Sequence, residues 1–298
     1  MSIHNTKRVM VGNIAVGGGA EISIQSMLNA LPDDVEANVL QAKQLESAGC
    51  QIIRAAVPTK NSVNIIYKLK EQTNMPVVAD IHFDYRLALE SAEAGADKIR
   101  INPGNIGSRE RVEEVANACA KKGIPIRIGV NAGSLEKHLL KKYGAPCVDA
   151  LVESALYNIS LLEELEFYDI IVSIKSSDVP TMFEAYKKLS SKCSYPLHLG
   201  VTEAGTKHMG IIKSAAGIGG LLLSGIGDTI RVSLTDNPVE EIYAARDILK
   251  AIGKRKGGPM LISCPTCGRT KIDLISLAKE VEKRLESCTK DITVAVMG

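Results

Sequence analysis

The 298-residue sequence contains no tryptophan and three phenylalanines, so it offers little of the flat aromatic surface on which single-stranded nucleic acid stacks. It also lacks a dominant charge. Its 36 Lys and Arg stand against 34 Asp and Glu, for a formal net charge of +2, and this gives no global attraction for nucleic acid or an anionic membrane. An anion site would have to come from local clustering. No apolar run reaches bilayer length: the longest, SAAGIGGLLLSGIG at 214–227, is short and rich in glycine. The amino-terminal MSIHNTKRVMVGNIAVGGG has no apolar core after its basic residues and does not read as a secretory signal. A disulfide framework is missing as well. Seven cysteines is an odd number, and Cys50, Cys119, Cys147, Cys193 and Cys288 are isolated. That usage suits buried thiols in a reducing cytoplasm.

What is present is a repeated unit of short apolar strand, polar loop and amphipathic helix. The strands read as EISIQSML (21–28), QIIRAAV (51–57), PVVADIHF (76–83), DKIRIN (97–102), PIRIGVN (125–131), DIIVSIK (169–175), PLHLGVT (196–202) and DTIRVSLT (228–235). Between them lie helices with apolar residues at 3.6-residue spacing, such as SRERVEEVANACAKKG at 108–123, opened by Ser108 and closed by Gly123. Eight such units predict a TIM (β/α)8 barrel, since an open doubly wound sheet more often shows fewer strands. The preceding RVMVGNIAVGGG predicts a hairpin that plugs the bottom of the barrel.

Side chains alternate between the two faces of a strand. Asp80 therefore shares a face with His82, Arg100 with Asn102, Arg127 with Asn131, His198 with Thr202, and Arg231 with Ser233. Arg54 and Lys175 also fall near strand ends. Both faces of a barrel strand are buried, one in the lumen and one under helices, so a solvated surface does not account for these charges. Five cations, Arg54, Arg100, Arg127, Lys175 and Arg231, are set against Asp80 and Glu203 at the carboxyl-terminal rim, where barrel active sites sit. Such a surplus implies a multiply charged anion, with phosphate or diphosphate suiting arginine forks best. Glycine turns in NPGNIG (102–107) and NAGS (131–134) could aim backbone amides at it.

GIGGLLLSGIG (217–227) brushes against a dinucleotide fingerprint but precedes a strand instead of following one; helix packing and a turn are the expected role. The segment KRKGGPM (254–260) reads as a linker. Beyond it come a strand bearing Cys264 and Cys267 in SCPTCGR, a helix over 271–287 and a strand over 291–298. The boundaries expected are a barrel over 1–253 and an incomplete small α/β domain over 254–298, because one βαβ piece buries too little surface to be a complete domain. The Cys264/Cys267 spacing lets two thiolates reach one metal or one iron–sulfur cluster.

ADIHF, KIRINPGNIG, IRIGVNAGSL, SIKSSD, LGVTEAG, TIRVSLT and SCPTCGR, in that order, resemble the 4-hydroxy-3-methylbut-2-enyl diphosphate synthases over essentially the whole chain. The resemblance implies a TIM barrel followed by a small iron–sulfur domain. It also implies reductive ring opening and dehydration of 2-C-methyl-D-erythritol 2,4-cyclodiphosphate in non-mevalonate isoprenoid biosynthesis, with a [4Fe–4S] cluster, flavodoxin or ferredoxin as electron donor, and a homodimer. It assigns Arg54, Arg100, Arg127, Lys175, Arg231 and Ser233 to the diphosphate. Asn102, Asn131, His82, Thr202 and Glu203 fall around the carbon skeleton, with Glu203 and His82 as catalytic candidates and Glu203 handling a proton or holding a hydroxyl. Cys264 and Cys267 become two cluster ligands. The family's third cysteine and its glutamate ligand would fall just past Gly298, and Cys288 lies too early to replace them. The expectation is thus a carboxyl-terminally truncated chain that binds substrate without turning it over.

Two rival readings remain. A phosphosugar aldolase or isomerase would use Lys175 for a Schiff base, but Ser176, Ser177 and Asp178 suggest a polar lysine rather than a desolvated one. A zinc-knuckle binding module would need a second ligand pair, and none follows CPTCG.

Overall fold

A computed structural model describes residues 4–285 and 288–298. The chain divides into two units, one running to Ile248 and the other spanning Leu249–Gly298.

The first unit opens with an antiparallel hairpin, β1 (Val9–Val11) and β2 (Ile14–Val16). Eight parallel strands follow: β3 (Ser23–Met27), β4 (Ile52–Ala56), β5 (Val77–Asp80), β6 (Lys98–Ile101), β7 (Ile126–Asn131), β8 (Ile170–Lys175), β9 (His198–Leu199) and β10 (Thr229–Ile230). Their spatial order is β8-β7-β6-β5-β4-β3-β10-β9. A parallel bridge between Val172 and Leu197 joins the two ends. The sheet is therefore a closed (β/α)8 barrel, as the eightfold repeat predicts.

The hairpin does plug the bottom. Val9, Val11 and Val16 pack with Ile52, Val78 and Ile171, the lowest inward-facing residues of β4, β5 and β8, in one buried cluster. Burial of these aliphatic side chains, each stabilising by roughly 1.5–3 kcal/mol, seals the lumen from below and leaves the rim as its entrance.

Helices alternate with the strands and carry the caps their sequences call for. Asp34 accepts from the Ala37 amide at the start of Val35–Ala48, and Asp178 from the Thr181 amide at the start of Val179–Ser190. Ser108 and Gly123 flank Arg109–Lys122 as expected. The segment that resembled a nucleotide fingerprint is helical: Lys207–Ser214 runs through a π-helical turn, Ala215–Gly219, into Gly220–Leu223. A Cβ on Gly217 would sit 3.1 Å from Val201, and one on Gly220 3.3 Å from Phe183. Gly217 thus packs this helix against the end of β9 and the helix Val179–Ser190, and Gly220 against that same helix.

β9 and β10 are shorter than the sequence suggests. Past Leu199 the chain leaves the ladder, and the Thr202 amide donates to the Ser176 carbonyl at 3.2 Å. A Cβ on Gly200 would lie 2.9 Å from the Arg231 carbonyl, so only glycine permits this approach.

The second unit pairs β11 (Met260–Ser263) in parallel with β12 (Thr293–Val296) across the helix Leu274–Leu285. Asp273 caps that helix through the Ser276 amide, which starts it three residues later than the sequence reading; residues 286 and 287 of the expected helix lie outside the described residues. The two motif cysteines follow β11 instead of lying on it.

Candidate active site

Inward-facing residues line the lumen in storeys set by the strand register. Asp80 of β5 stands beside Arg100 of β6, and Arg100 beside Arg127 of β7. Asp80 is the hub of the mouth. Its Oδ1 accepts from Arg100 Nη1 at 3.1 Å, and its Oδ2 lies 3.5 Å from both Arg54 Nε and His82 Nε2. Burial pushes the Asp80 carboxyl up, but Arg54 and Arg100, then His82 and Lys175, pull it further down, below the usual carboxylate range.

One carboxylate cannot neutralise this group. Arg54 and Arg231 both turn toward the thioether of Met27: Arg54 Nη2 is 2.6 Å and Arg231 Nη1 3.6 Å from Sδ. A thioether is a weak acceptor, a poor partner for two guanidiniums. Burial, together with Arg231 and Arg100, outweighs Asp80 and holds the Arg54 guanidinium down at about 10. Arg127 is fully buried, and its Nε, Nη1 and Nη2 have no hydrogen-bond partner among the described residues.

A cleft opens among Arg54, Lys175, Thr202, Arg231 and Ser233, with Ser173, Tyr186 and His198 deeper in. The Tyr186 hydroxyl donates to the His198 carbonyl and accepts from the Ile174 amide, tying the ends of β8 and β9 together under the cleft. His198 lies lower than the rim position expected of it: it pairs with Thr229 at the start of β9 and is 4 % exposed. Burial, with Arg127 and Lys98 next in weight, holds its imidazole well below the ordinary range, hence neutral.

The structure brings most of the expected residues together, with three corrections. Glu203 does not oppose the cations. It is exposed in the loop after β9, in a left-handed conformation (φ 53°) that costs a non-glycine residue energy and often marks a functional loop. The second carboxylate of the cluster is Glu241, buried on Pro238–Ala251, 3.5 Å from Arg231 Nε and bonded to Ser26 and the Leu234 amide. Lys175 is not solvated by its polar neighbours: burial first, then Arg54, Arg100 and Arg127, depress its ammonium well below the usual lysine range. Its polar neighbours therefore do not exclude a Schiff base.

The two asparagines have local partners. Asn102 donates to Ser134 Oγ at 2.7 Å, and Asn131 Oδ1 accepts from the Gly133 amide, so each steadies the loop after β7. His82 is nearly half exposed at the rim, lowered by burial against the pull of Asp80.

Sequence reasoning missed Lys98, Gln25, Met27, Gly129 and Glu241. Strand parity could have found the first four, since Lys98 shares a face with Arg100, Gly129 with Arg127, and Gln25 with Met27. Gly129 matters because a Cβ there would stand 2.5 Å from Arg100 Nε.

In the second unit the Cys264 amide donates to the Val296 carbonyl, which fixes the loop to β12. Cys267 is exposed, and the Arg269 amide and side chain, followed by the Thr270 hydroxyl, lower its thiol toward the thiolate. The pair thus suits a thiophilic centre as two soft donors. Among the described residues, no group of three or more His, Cys, Asp or Glu is gathered to hold a metal.

A closed (β/α)8 barrel whose mouth gathers arginines and lysines in excess of carboxylates has the architecture of a barrel enzyme with a cationic mouth. The GcpE TIM-barrel domain family matches residues 6–246, and the GcpE protein C-terminal domain family matches residues 260–298. A Clostridium perfringens protein named 4-hydroxy-3-methylbut-2-en-1-yl diphosphate synthase (flavodoxin) is 61% identical over all 298 residues, which span 85% of its length. Relatives of the same name from Bacillus cytotoxicus and Macrococcus caseolyticus are each 57% identical, over 98% and 99% of this chain and 80% and 79% of their own lengths. The chain belongs to the GcpE family of oxidoreductases. Among solved structures, Yersinia pestis dihydropteroate synthase superposes with a TM-score of 0.60 at 14% identity, over 84% of this chain and 100% of that one. Clostridium difficile type I 3-dehydroquinate dehydratase gives 0.60 at 16%, over 83% and 97%. These two share the barrel fold.

Proposed function

We propose that the chain acts on 2-C-methyl-D-erythritol 2,4-cyclodiphosphate and carries out its reductive opening to 4-hydroxy-3-methylbut-2-enyl diphosphate in isoprenoid biosynthesis. The observation that carries this reading is the under-neutralised cationic mouth, with two guanidiniums turned to one thioether and Arg127 without a hydrogen-bond partner among the described residues. A cyclic diphosphate supplies the missing acceptors. Residues 1–253 are the substrate-binding unit and 254–298 the cluster-binding unit on this reading.

The diphosphate is held by Arg54, Arg100, Arg127, Lys175, Arg231 and Ser233. Asn102, Asn131, His82 and Thr202 border the carbon skeleton, and Glu203 on its strained loop handles a proton or a hydroxyl. The balance is two electrons and two protons in: one ring C–O bond breaks to free a phosphate oxygen, and one hydroxyl leaves as water. A [4Fe–4S] cluster, when bound, supplies the electrons, delivered by flavodoxin, the donor in the relatives' name, or by ferredoxin. Cys264 and Cys267 are two of its ligands. Because two thiolates hold two corners of a four-iron cube, the cluster takes two further ligands beside this pair, whereas the barrel residues bind the cyclodiphosphate without them.

Asp80 holds Arg54 and Arg100 toward the entering phosphates, and the low-lying carboxylate stays ionised throughout the physiological range. Neutral His198 adds no further cation to the floor. A homodimer and a cytoplasmic setting complete the proposal; all seven cysteines are unpaired thiols, as a reducing compartment favours, and no described helix is long and apolar enough to cross a membrane. The test is calorimetric titration of the chain with the cyclodiphosphate beside anaerobic loading with iron and sulfide. Saturable binding, with iron uptake lost in Cys264→Ser and in Cys267→Ser, supports the reading. Iron uptake that survives both substitutions overturns the assignment of the cysteines.

A further inference from the structure

Beneath the mouth lies a second polar storey. Lys98 of β6 points inward below Arg100, is fully buried, and its ammonium donates to Gln25 Oε1 of β3 at 3.3 Å. Gln25 Nε2, His198 Nδ1 and all three Arg127 nitrogens lack hydrogen-bond partners among the described residues. Gln25 is 1 % exposed and Arg127 0 %. The lumen's carboxylates are engaged elsewhere, Asp80 by Arg54 and Arg100 and Glu241 by Arg231. The groups facing Lys98 are thus Gln25 from β3, Arg54 from β4, Arg127 from β7 and His198 from β9, while its β5 neighbour is the apolar Val78. No acid is among them.

Gathering donors without acceptors is costly in a dry interior unless an acceptor-rich ligand completes them. The cleft comes down to the edge of this storey, since His198, which faces Lys98, lines its floor with Ser173 and Tyr186. We propose that the anion site extends one storey below the mouth, and that Lys98, with Gln25 beside it, binds the inner phosphate of the ligand from underneath. The inference rests on the diphosphate reading and adds to it two residues that the sequence left unassigned.

A structural role for Lys98 predicts a different sign. A buried amine with one long hydrogen bond and cationic neighbours does not stabilise a barrel, so a neutral side chain of similar volume should leave the thermal midpoint unchanged or raise it. The experiment is calorimetric titration of the 298-residue chain with inorganic pyrophosphate, with a thermal melt of each variant, for wild type, Lys98→Met, Lys98→Gln and Arg100→Ala. The expected result is wild-type binding that Arg100→Ala weakens, and that Lys98→Met weakens by about tenfold or more with no fall in melting temperature. Unchanged affinity in Lys98→Met overturns this inference alone. Absence of wild-type pyrophosphate binding overturns the diphosphate reading and this inference with it. Should Lys98→Met melt lower, Lys98→Gln decides: restored melting with weak binding supports the site, and restoration of both assigns Lys98 to structure and overturns it.

Discussion

Arg100 carries the clearest consequence at the scale of single residues. Its guanidinium bonds Asp80 at 3.1 Å and reaches the Gly129 carbonyl at 3.5 Å, and the glycine's missing side chain leaves it room. Gly129→Ala should push the guanidinium out of place and weaken anion binding by about tenfold, with the melting temperature little changed; titration with pyrophosphate beside a thermal melt checks both. Asp80→Asn should behave differently. It leaves Arg54 and Arg100 buried without their counter-charge, a change that costs about 3 kcal/mol or more, and saturating pyrophosphate should recover part of the lost melting temperature. Most of this cluster was legible from strand parity, because a charged residue on a barrel strand has no solvated face to occupy. Glu241 was not legible: it reaches the lumen from a helix, where spacing along a strand gives no information. Glu203 was misplaced for a related reason, since a loop in a left-handed conformation breaks the alternation that the strand before it obeys.

At the scale of elements, the eight strands were readable because both faces of each are apolar apart from the lumen positions, and their helices carry capping residues where the geometry needs them. The ends of β9 and β10 were not. Two residues of ladder remain in each, because the close approach of Gly200 to the Arg231 carbonyl and the Thr202 amide bond to Ser176 draw the chain away, and such tertiary contacts leave no local pattern. The CPTC loop makes its own prediction. Burial pushes the thiols of Cys50 and Cys119 up to about 12 and raises that of Cys193, whereas amide and hydroxyl hydrogen bonds lower that of exposed Cys267. Iodoacetamide in limiting amount, under anaerobic conditions, should therefore label Cys267 before those three; mass spectrometry that finds Cys50 or Cys119 labelled first would contradict the geometry.

For the barrel as a whole, six buried or partly buried cations among the described residues, Arg54, Lys98, Arg100, Arg127, Lys175 and Arg231, face two carboxylates, Asp80 and Glu241, within one lumen. The free protein bears this imbalance, which is why its pH dependence has a definite sign. Lys98 and Lys175 are depressed in the folded state, so the fold sheds these protons before the unfolded chain does, and stability rises with pH as they leave, up to about pH 8.5 where free thiols begin to ionise. Above that range Cys50 and Cys119, held protonated in the fold, oppose the trend as the unfolded thiols ionise. The melting temperature of the ligand-free chain should climb as the pH is raised toward about 8.5, and the extra stability conferred by pyrophosphate should shrink as the lysines lose their protons.

The central claim is that this cationic lumen is a cyclodiphosphate site, and calorimetric titration of the chain with 2-C-methyl-D-erythritol 2,4-cyclodiphosphate tests it most directly, with Arg100→Ala alongside. Saturable one-site binding to the wild type is expected, weakened by about tenfold or more in the variant. Wild-type binding that Arg100→Ala leaves untouched, or no binding by a chain that does bind pyrophosphate, would contradict it.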